Sequence, residues 1–268
     1  MKPKNEHPST TKGRGWVAAN ACGTGSAHIA QGKPCQDAVC ALAGPLPFVI
    51  ASDGRGSAQR SELGSAAGVA AFAALVKRDE GLIRDILGTG RRRNATRPLR
   101  WRNFVRNRVI PGLQEELVRL SSEYGLPAKE FEFTVAGAIV GPCYLGWFQI
   151  GDSGLVAVRS GRAIRLHHMQ SGRYLNETCF VSVGMGKAQA VCGIVPKVRT
   201  NAIFAYTDGA TARLFNSRNQ SPGPAFVQLA KLMGSGKWTG YDLSRLMQDA
   251  SWMRSTDDDH SLAILCYT

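Results

Sequence analysis

The residue period changes twice along this chain, and that order limits the folds open to it. Trp16 to Cys22, Ala38 to Ala43 and Phe48 to Ser52 are short apolar runs bounded by Gly, Pro or Asp, and each reads as a β-strand. From Ser61 to Val76 the spacing becomes helical, with Leu63, Ala67, Ala70, Phe72 and Ala74 among small residues. A second helical region runs from about Leu99 to Ser122, where Val105, Val109, Leu113, Leu117 and Leu120 share a stripe. Pro111 inside it predicts a kink or two helices. Strands return at Phe133–Val140, Tyr144–Ile150, Leu155–Arg159 and Ala163–Leu166, and His167 to Val195 is irregular and glycine-containing, which predicts a flexible flap. Ala202–Thr207 then leads into helices near Pro224–Met233 and Tyr241–Trp252, and Ser261–Tyr267 closes the chain as a strand. Two sets of β-hairpins around helical stretches predict an α+β fold, with antiparallel sheets and helices layered outside; the order does not suit βαβ repeats. No internal repeat and no long linker divides the chain, so the expectation is a loose polar tail over residues 1–15 and one domain over 16–268.

With 268 residues, 44% of them apolar, the chain has ample material for a buried core. Its net charge of +13 is unevenly spread: eight arginines and no acid lie between Arg91 and Arg108. Trp101 and Phe104 accompany them, a mixture that attracts nucleic-acid backbones or an acidic or phosphorylated partner. A solvated loop and helix face is the simpler reading of such a run, and no helix-turn-helix, zinc-finger or RNP-type motif supports sequence recognition, so nucleic acid is not the expected partner. The seven cysteines form no CxxC pair, which argues against a zinc site or a disulfide framework and for free thiols in a reducing cytoplasm. The first fifteen residues are polar, and the most apolar later window, Phe131 to Ile150, is broken by Gly141-Pro142; neither reads as a signal peptide or a membrane span.

The aspartates carry the chemical information. Asp37, Asp53, Asp152, Asp208 and the run Asp257 to Asp259 each sit at or beside the end of an apolar run. One Asp-Gly after a strand is an ordinary turn. Five such placements in a basic protein read instead as carboxylates converging on one face around hard cations, Mg²⁺ or Mn²⁺, because no His/Cys set at ligand spacing accompanies them.

The motifs that hold these acids occur in order: Pro34-Cys35-Gln36-Asp37-Ala38, Ala51-Ser52-Asp53-Gly54-Arg55-Gly56-Ser57, Phe133-Thr134, Ile150-Gly151-Asp152-Ser153, Tyr206-Thr207-Asp208-Gly209-Ala210 and Asp257-Asp258-Asp259-His260-Ser261-Leu262. In this order they resemble the metal-dependent Ser/Thr protein phosphatases of the PP2C (PPM) family in its bacterial form, from about Trp16 to Tyr267. The resemblance implies a four-layer αββα sandwich, with two antiparallel sheets flanked by helices and the metal site at one end. It implies that Asp53 bridges two metals with the Gly54 carbonyl close by, that Asp208 and Asp258 complete the ligands of the second, that Asp37 holds the waters of the first, and that Asp152 helps hold a third. The catalytic set is then Asp37, Asp53, Asp208 and Asp258, and the reaction is hydrolysis of phosphoserine or phosphothreonine in proteins by a metal-bridging hydroxide on a dinuclear Mg or Mn centre.

Three positions depart from the family pattern. Gln36 stands where a Glu is frequent, which removes a charge near the metals. Arg55 follows the Asp-Gly motif where eukaryotic members carry a His, and a guanidinium gives up no proton at neutral pH. The family's phosphate-contacting arginine upstream of the first motif has no clear counterpart, which leaves His28, Lys33 and Arg55 as the candidates for phosphate binding. The alternative reading these departures carry is a weakly active or inactive regulatory module that binds metal and a phosphoprotein.

Overall fold

The computed structural model of the chain describes residues 15–88, 96–167, 178–187, 189–253 and 255–268. The expected tail up to Arg14, Arg91 to Arg93 and residues 168–177 of the expected flap lie outside them. Two five-stranded antiparallel sheets form the centre. One orders its strands β1 (Trp16–Gly23), β10 (His260–Tyr267), β9 (Thr200–Tyr206), β6 (Gly154–Arg159) and β7 (Arg162–Arg165). The other orders β2 (Asp37–Leu42), β3 (Phe48–Gly54), β4 (Phe133–Val140), β5 (Tyr144–Ile150) and β8 (Val191–Pro196). The first and last strands pair along their whole length, Trp16 opposite Tyr267 and Gly23 opposite His260.

The central strands are buried on both faces, which is why they read as unbroken apolar runs. In β3 the period of two sends Phe48 and Ile50 outward to the helices, while Val49 and Ala51 point into the space between the sheets. There they meet Leu155, Ile203, Ala205, Ala263 and Leu265 of the facing sheet. The outer face of the β2–β8 sheet is covered by α2 (Ser61–Arg78), α3 (Glu80–Leu87), α4 (Arg97–Phe104) and α5 (Ile110–Tyr124). The outer face of the other is covered by α6 (Thr211–Leu214), α7 (Ala225–Gly234) and α8 (Gly240–Met247), through Phe226, Leu229, Met233, Leu243 and Met247. The result is the αββα sandwich.

The element boundaries differ from the sequence reading at four places. Around Pro111 the chain forms two α-helices, as one of the expected alternatives, but without a break between them: α4 runs into α5 through a π-helical turn at Val105–Val109. Pro111 has no N–H to give the preceding turn and its ring crowds that turn's carbonyl, and one wider turn accommodates both. The helix expected from Tyr241 to Trp252 is two, α8 and α9 (Ala250–Met253), because Asp249 accepts the Ser251 N–H at 2.8 Å and starts a new helix there. The irregular stretch is shorter than expected, since residues 191–196 form the edge strand β8 on β5, with Val191 opposite Gln149 and Pro196, which has no N–H, at its end. A short helix without a buried residue, α1 (Ser26–Gln31), and the helix α3, with Ile83, Ile86 and Leu87 buried, were not foreseen.

Trp101 fastens the helical layer to the sheet. It is fully buried, donates its indole N–H to the Trp147 carbonyl of β5 at 2.9 Å and stacks on Phe104 at 5.4 Å. Gly146 leaves the room it occupies, since a Cβ there would stand 2.7 Å from the indole ring. Trp101→Ala is expected to cost about 3–5 kcal/mol of stability, because it opens a cavity and strips a carbonyl of its donor. Urea denaturation followed by circular dichroism measures it.

Candidate metal centre

Antiparallel pairing decides which ends of the strands meet. β3 and β5 finish, and β2 and β4 begin, at one end of their sheet; β1 and β9 finish, and β6 and β10 begin, at the same end of the other. Asp53 on β3 lies directly opposite Asp37 on β2, and its other neighbour in the ladder is Thr134 on β4. Asp152 follows β5 by two residues, Asp208 follows β9 by two, and Asp258 precedes β10 by two. The acids therefore gather at one end of the sandwich, although 171 residues separate Asp37 from Asp208 in the sequence.

Asp53, Asp152 and Asp208 form the centre: one carboxylate oxygen from each lies within 4.8 Å of the others. Asp152 is held by the Thr178 hydroxyl at 2.8 Å, and Asp37 by the Thr207 hydroxyl at 2.7 Å. One oxygen of Asp37, of Asp152 and of Asp208 is buried without a hydrogen-bond partner. Unpaired buried acceptors beside like charges are costly, and an all-oxygen set with open lone pairs fits hard divalent cations. Asp258 is exposed and stands outside the three-carboxylate group, close enough to act on Asp53 and Asp208 by its charge.

Among the described residues no ion pair reaches Asp37, Asp53, Asp152 or Asp208. Burial, followed by the charge of Asp37, Asp208, Asp258 and Asp152, raises Asp53 well above the ordinary carboxylate range. Burial also raises Asp37, against the hydrogen bond from Thr207. Asp208 is pushed up to about 7 by burial and then by Asp152 and Asp258, with the Gly209 amide opposing.

Two glycines permit the crowding. Gly151 has φ +88°, and a Cβ there would lie 2.6 Å from the Cys179 carbonyl oxygen and 2.7 Å from Thr134. A Cβ on Gly209 would lie 2.0 Å from the Asp259 carbonyl oxygen, so the two loops touch through backbone alone. Gly54 gives its N–H to the Gln36 carbonyl at 3.1 Å, a bond that joins the first two acidic motifs.

The three phosphate candidates differ in how they are engaged. His28 places Nδ1 2.8 Å from Asp259. Arg55 donates from Nη1 to Glu132 at 2.7 Å and from Nε to Ser57 at 3.0 Å, and lies over the Phe180 ring. Lys33 is exposed on the turn after α1. Asp259 was not singled out in the sequence. It is 2% exposed and accepts the Gly25 N–H at 2.7 Å and the Gln36 N–H at 2.6 Å besides its contact with His28. It therefore ties α1 and the first motif to the start of β10. Its place in a run of three aspartates hid it; a buried acid there is visible only from its partners.

Residues 24–238 match the family model for protein phosphatase 2C, so the chain belongs to that family and its class is protein-serine/threonine phosphatase. No curated protein sequence matches it significantly. Among solved structures it is similar to the catalytic domain of the serine/threonine protein phosphatase PstP in complex with two manganese ions, at 15% identity and a TM-score of 0.62, over 95% of this chain and 99% of that one. It is similar to the serine/threonine phosphatase Stp1 from Staphylococcus aureus, at 15% identity and a TM-score of 0.61, over 99% of both chains. It is also similar to PppA, a regulatory component of the T6SS in Pseudomonas aeruginosa, at 13% identity and a TM-score of 0.57, over 94% of this chain and 98% of that one. At these identities the likeness shows the shared fold.

The raised carboxylates set a pH dependence. Asp208 has its ordinary value of 3.8 when unfolded and about 7 when folded, so the folded state binds more protons in between. Its contribution to stability is whole below 3.8 and is lost as the pH rises through about 7. Asp37 and Asp53 act in the same direction. In chelator, the melting temperature should therefore fall between those two pH values, and Asp208→Asn should melt above the parent at neutral pH. Thermal melts across that range test both.

Proposed function

We propose that this protein hydrolyses phosphoserine and phosphothreonine in proteins at the acidic end of the sandwich, with two Mg²⁺ or Mn²⁺ ions held there and a third at Asp152. The observation that carries the reading is the meeting of Asp53, Asp152 and Asp208 within 4.8 Å, with one buried oxygen of Asp152 and one of Asp208 that no described residue satisfies. Asp53 and the Gly54 carbonyl would hold the two cations together with Asp208 and Asp258. When bound, such cations supply a water acidic enough to attack phosphorus in line at neutral pH and offset the charge of the phosphoryl group in transfer.

The chain's own groups do the rest. Asp37, anchored by Thr207 through one oxygen, orients the attacking water with the other. Arg55, steadied by Glu132 and Ser57, keeps its remaining terminal nitrogen for a phosphate oxygen, with Lys33 and His28 as the further candidates. Arg55 releases no proton, so the departing serine or threonine oxygen takes its proton from water. The pairing of β1 with β10 supports reading residues 16–268 as one domain. The substrate in this reading is a phosphorylated protein met in the cytoplasm, in signalling; among the described residues no helix is long and apolar enough to cross a membrane.

Phosphate release from a phosphothreonine peptide with Mn²⁺ tests the reading. Chelator should abolish it, Asp53→Asn and Asp208→Asn should lower it at least about a hundredfold with folding retained, and Asp37→Asn should weaken the metal response by about ten- to a hundredfold. A folded protein that binds Mn²⁺ and releases no phosphate would point instead to the regulatory module, for which Gln36 and the engaged Arg55 speak.

A further inference from the structure

Two cysteines meet beside the carboxylate site. Cys22 is the next-to-last residue of β1, and Cys35 lies in the turn before β2, two residues ahead of Asp37. These strands are the edges of different sheets, and they lie against each other. The Cys35 sulfur stands 4.0 Å from the carbonyl oxygen of Gly23, the residue after Cys22, and 3.9 Å from that of Asp37, and its nearness is the largest influence on the Cys22 thiol, which it lowers to about 7. Both residues are partly exposed, so a small oxidant reaches them without unfolding.

We propose that Cys22 and Cys35 close into a reversible disulfide on contact with peroxide, and that the closure turns the neighbouring carboxylate site off. The chemistry balances with hydrogen peroxide as oxidant. The Cys22 sulfur attacks one peroxide oxygen, the O–O bond breaks, and a Cys22 sulfenic acid forms while the other oxygen leaves as water with the thiol proton. The Cys35 sulfur then attacks the Cys22 sulfur, and the sulfenic oxygen leaves as water with the Cys35 proton. Two thiols lose two electrons and two protons, and one peroxide becomes two waters.

Closure changes geometry that the site depends on. A disulfide holds its sulfurs about 2 Å apart, closer than two unbonded thiols stand. Drawing Cys35 toward β1 pulls its sulfur from the Asp37 carbonyl and shifts Gln36. The Gln36 N–H donates to Asp259, and its carbonyl accepts the Gly54 N–H and the Ser65 hydroxyl. Those contacts hold Asp37 across from Asp53. The loss of activity rests on the phosphatase reading; formation of the bond does not.

The test uses the full chain carrying Cys143→Ser, because Cys143 is exposed and would cross-link copies. After peroxide and alkylation, fragment masses should show Cys22 and Cys35 unalkylated and together lighter by two hydrogens. Mn²⁺-dependent phosphate release and Mn²⁺ affinity should each fall at least about tenfold and return with dithiothreitol. The same protein with Cys22→Ser should keep both through the treatment. The proposal is overturned if Cys22 and Cys35 stay alkylatable or oxidise separately, or if the bond forms and Mn²⁺ affinity is unchanged. A reduced, folded protein without phosphate release would sink the phosphatase reading alone, with alkylation and Mn²⁺ affinity still deciding the disulfide switch.

Discussion

Like charges held together against their repulsion organise this molecule. Asp37 and Asp53 face each other across one ladder, and Asp152, Asp208 and Asp258 approach from three other strand ends. Left free, these groups would move apart. They stay because Asp53, Asp152, Asp208 and Asp258 are attached to strands buried on both faces, with Asp37 paired onto the first of these, and an apolar inter-sheet layer in which Val49, Ala51 and Ala136 meet Leu155, Ile203 and Ala263 holds the two sheets together. The apolar core thus supplies the force, and the residual strain appears as raised carboxylates and unpaired oxygens at one end. A site built this way is arranged for cations before they arrive.

The sandwich and the acid positions were legible in the sequence for one reason: strands buried on both faces leave apolar runs with sharp ends, and an aspartate at such an end stands out. Phe133–Val140 and Tyr144–Ile150 form as read, about Gly141-Pro142. What escaped has a different physical origin. Helix α1 has six residues and no buried face, and it is held by Asp259 and Asp257, more than 200 positions away. The β8 strand is an edge, half-exposed, and has little apolar contrast with the loop before it. The π-helical turn answers a conflict between Pro111 and an apolar stripe that wants to stay continuous, and the stripe wins because Val105, Val109, Leu113 and Leu117 are all buried. Asp258 and Asp259 are neighbours of the same type; only folding separates the exposed one from the buried one.

The arginine excess divides the same way. Arg97 is 6% exposed and lies over the Tyr144 ring at 4.3 Å, and Arg100 pairs with Asp85, so both belong to the packing of α4. Arg102 and Arg108 are exposed, and Arg106 is partly so. A run that looks uniform in the sequence is therefore part buttress and part solvated face. On a chain of net charge +13 it adds to a positive potential that favours the approach of acidic partners, while the carboxylates at the end of the sandwich draw cations.

The hydrogen-bonded backbone around Gln36 links these levels. Its N–H meets Asp259 of the β10 motif, its carbonyl meets Gly54 of the β3 motif and Ser65 of α2, and the next residue is Asp37. One peptide segment thereby joins both sheets and the helical layer at the point where the charges are densest. Its side chain is 5% exposed, and as Gln it adds no negative charge to a cluster already short of compensation. A glutamate there would bring another carboxylate into the same buried end, and its own burial would raise it as burial raises Asp37 and Asp53. The departure at position 36 therefore eases the repulsion that the metal-free fold must withstand, and it does so at the residue through which the two sheets are tied.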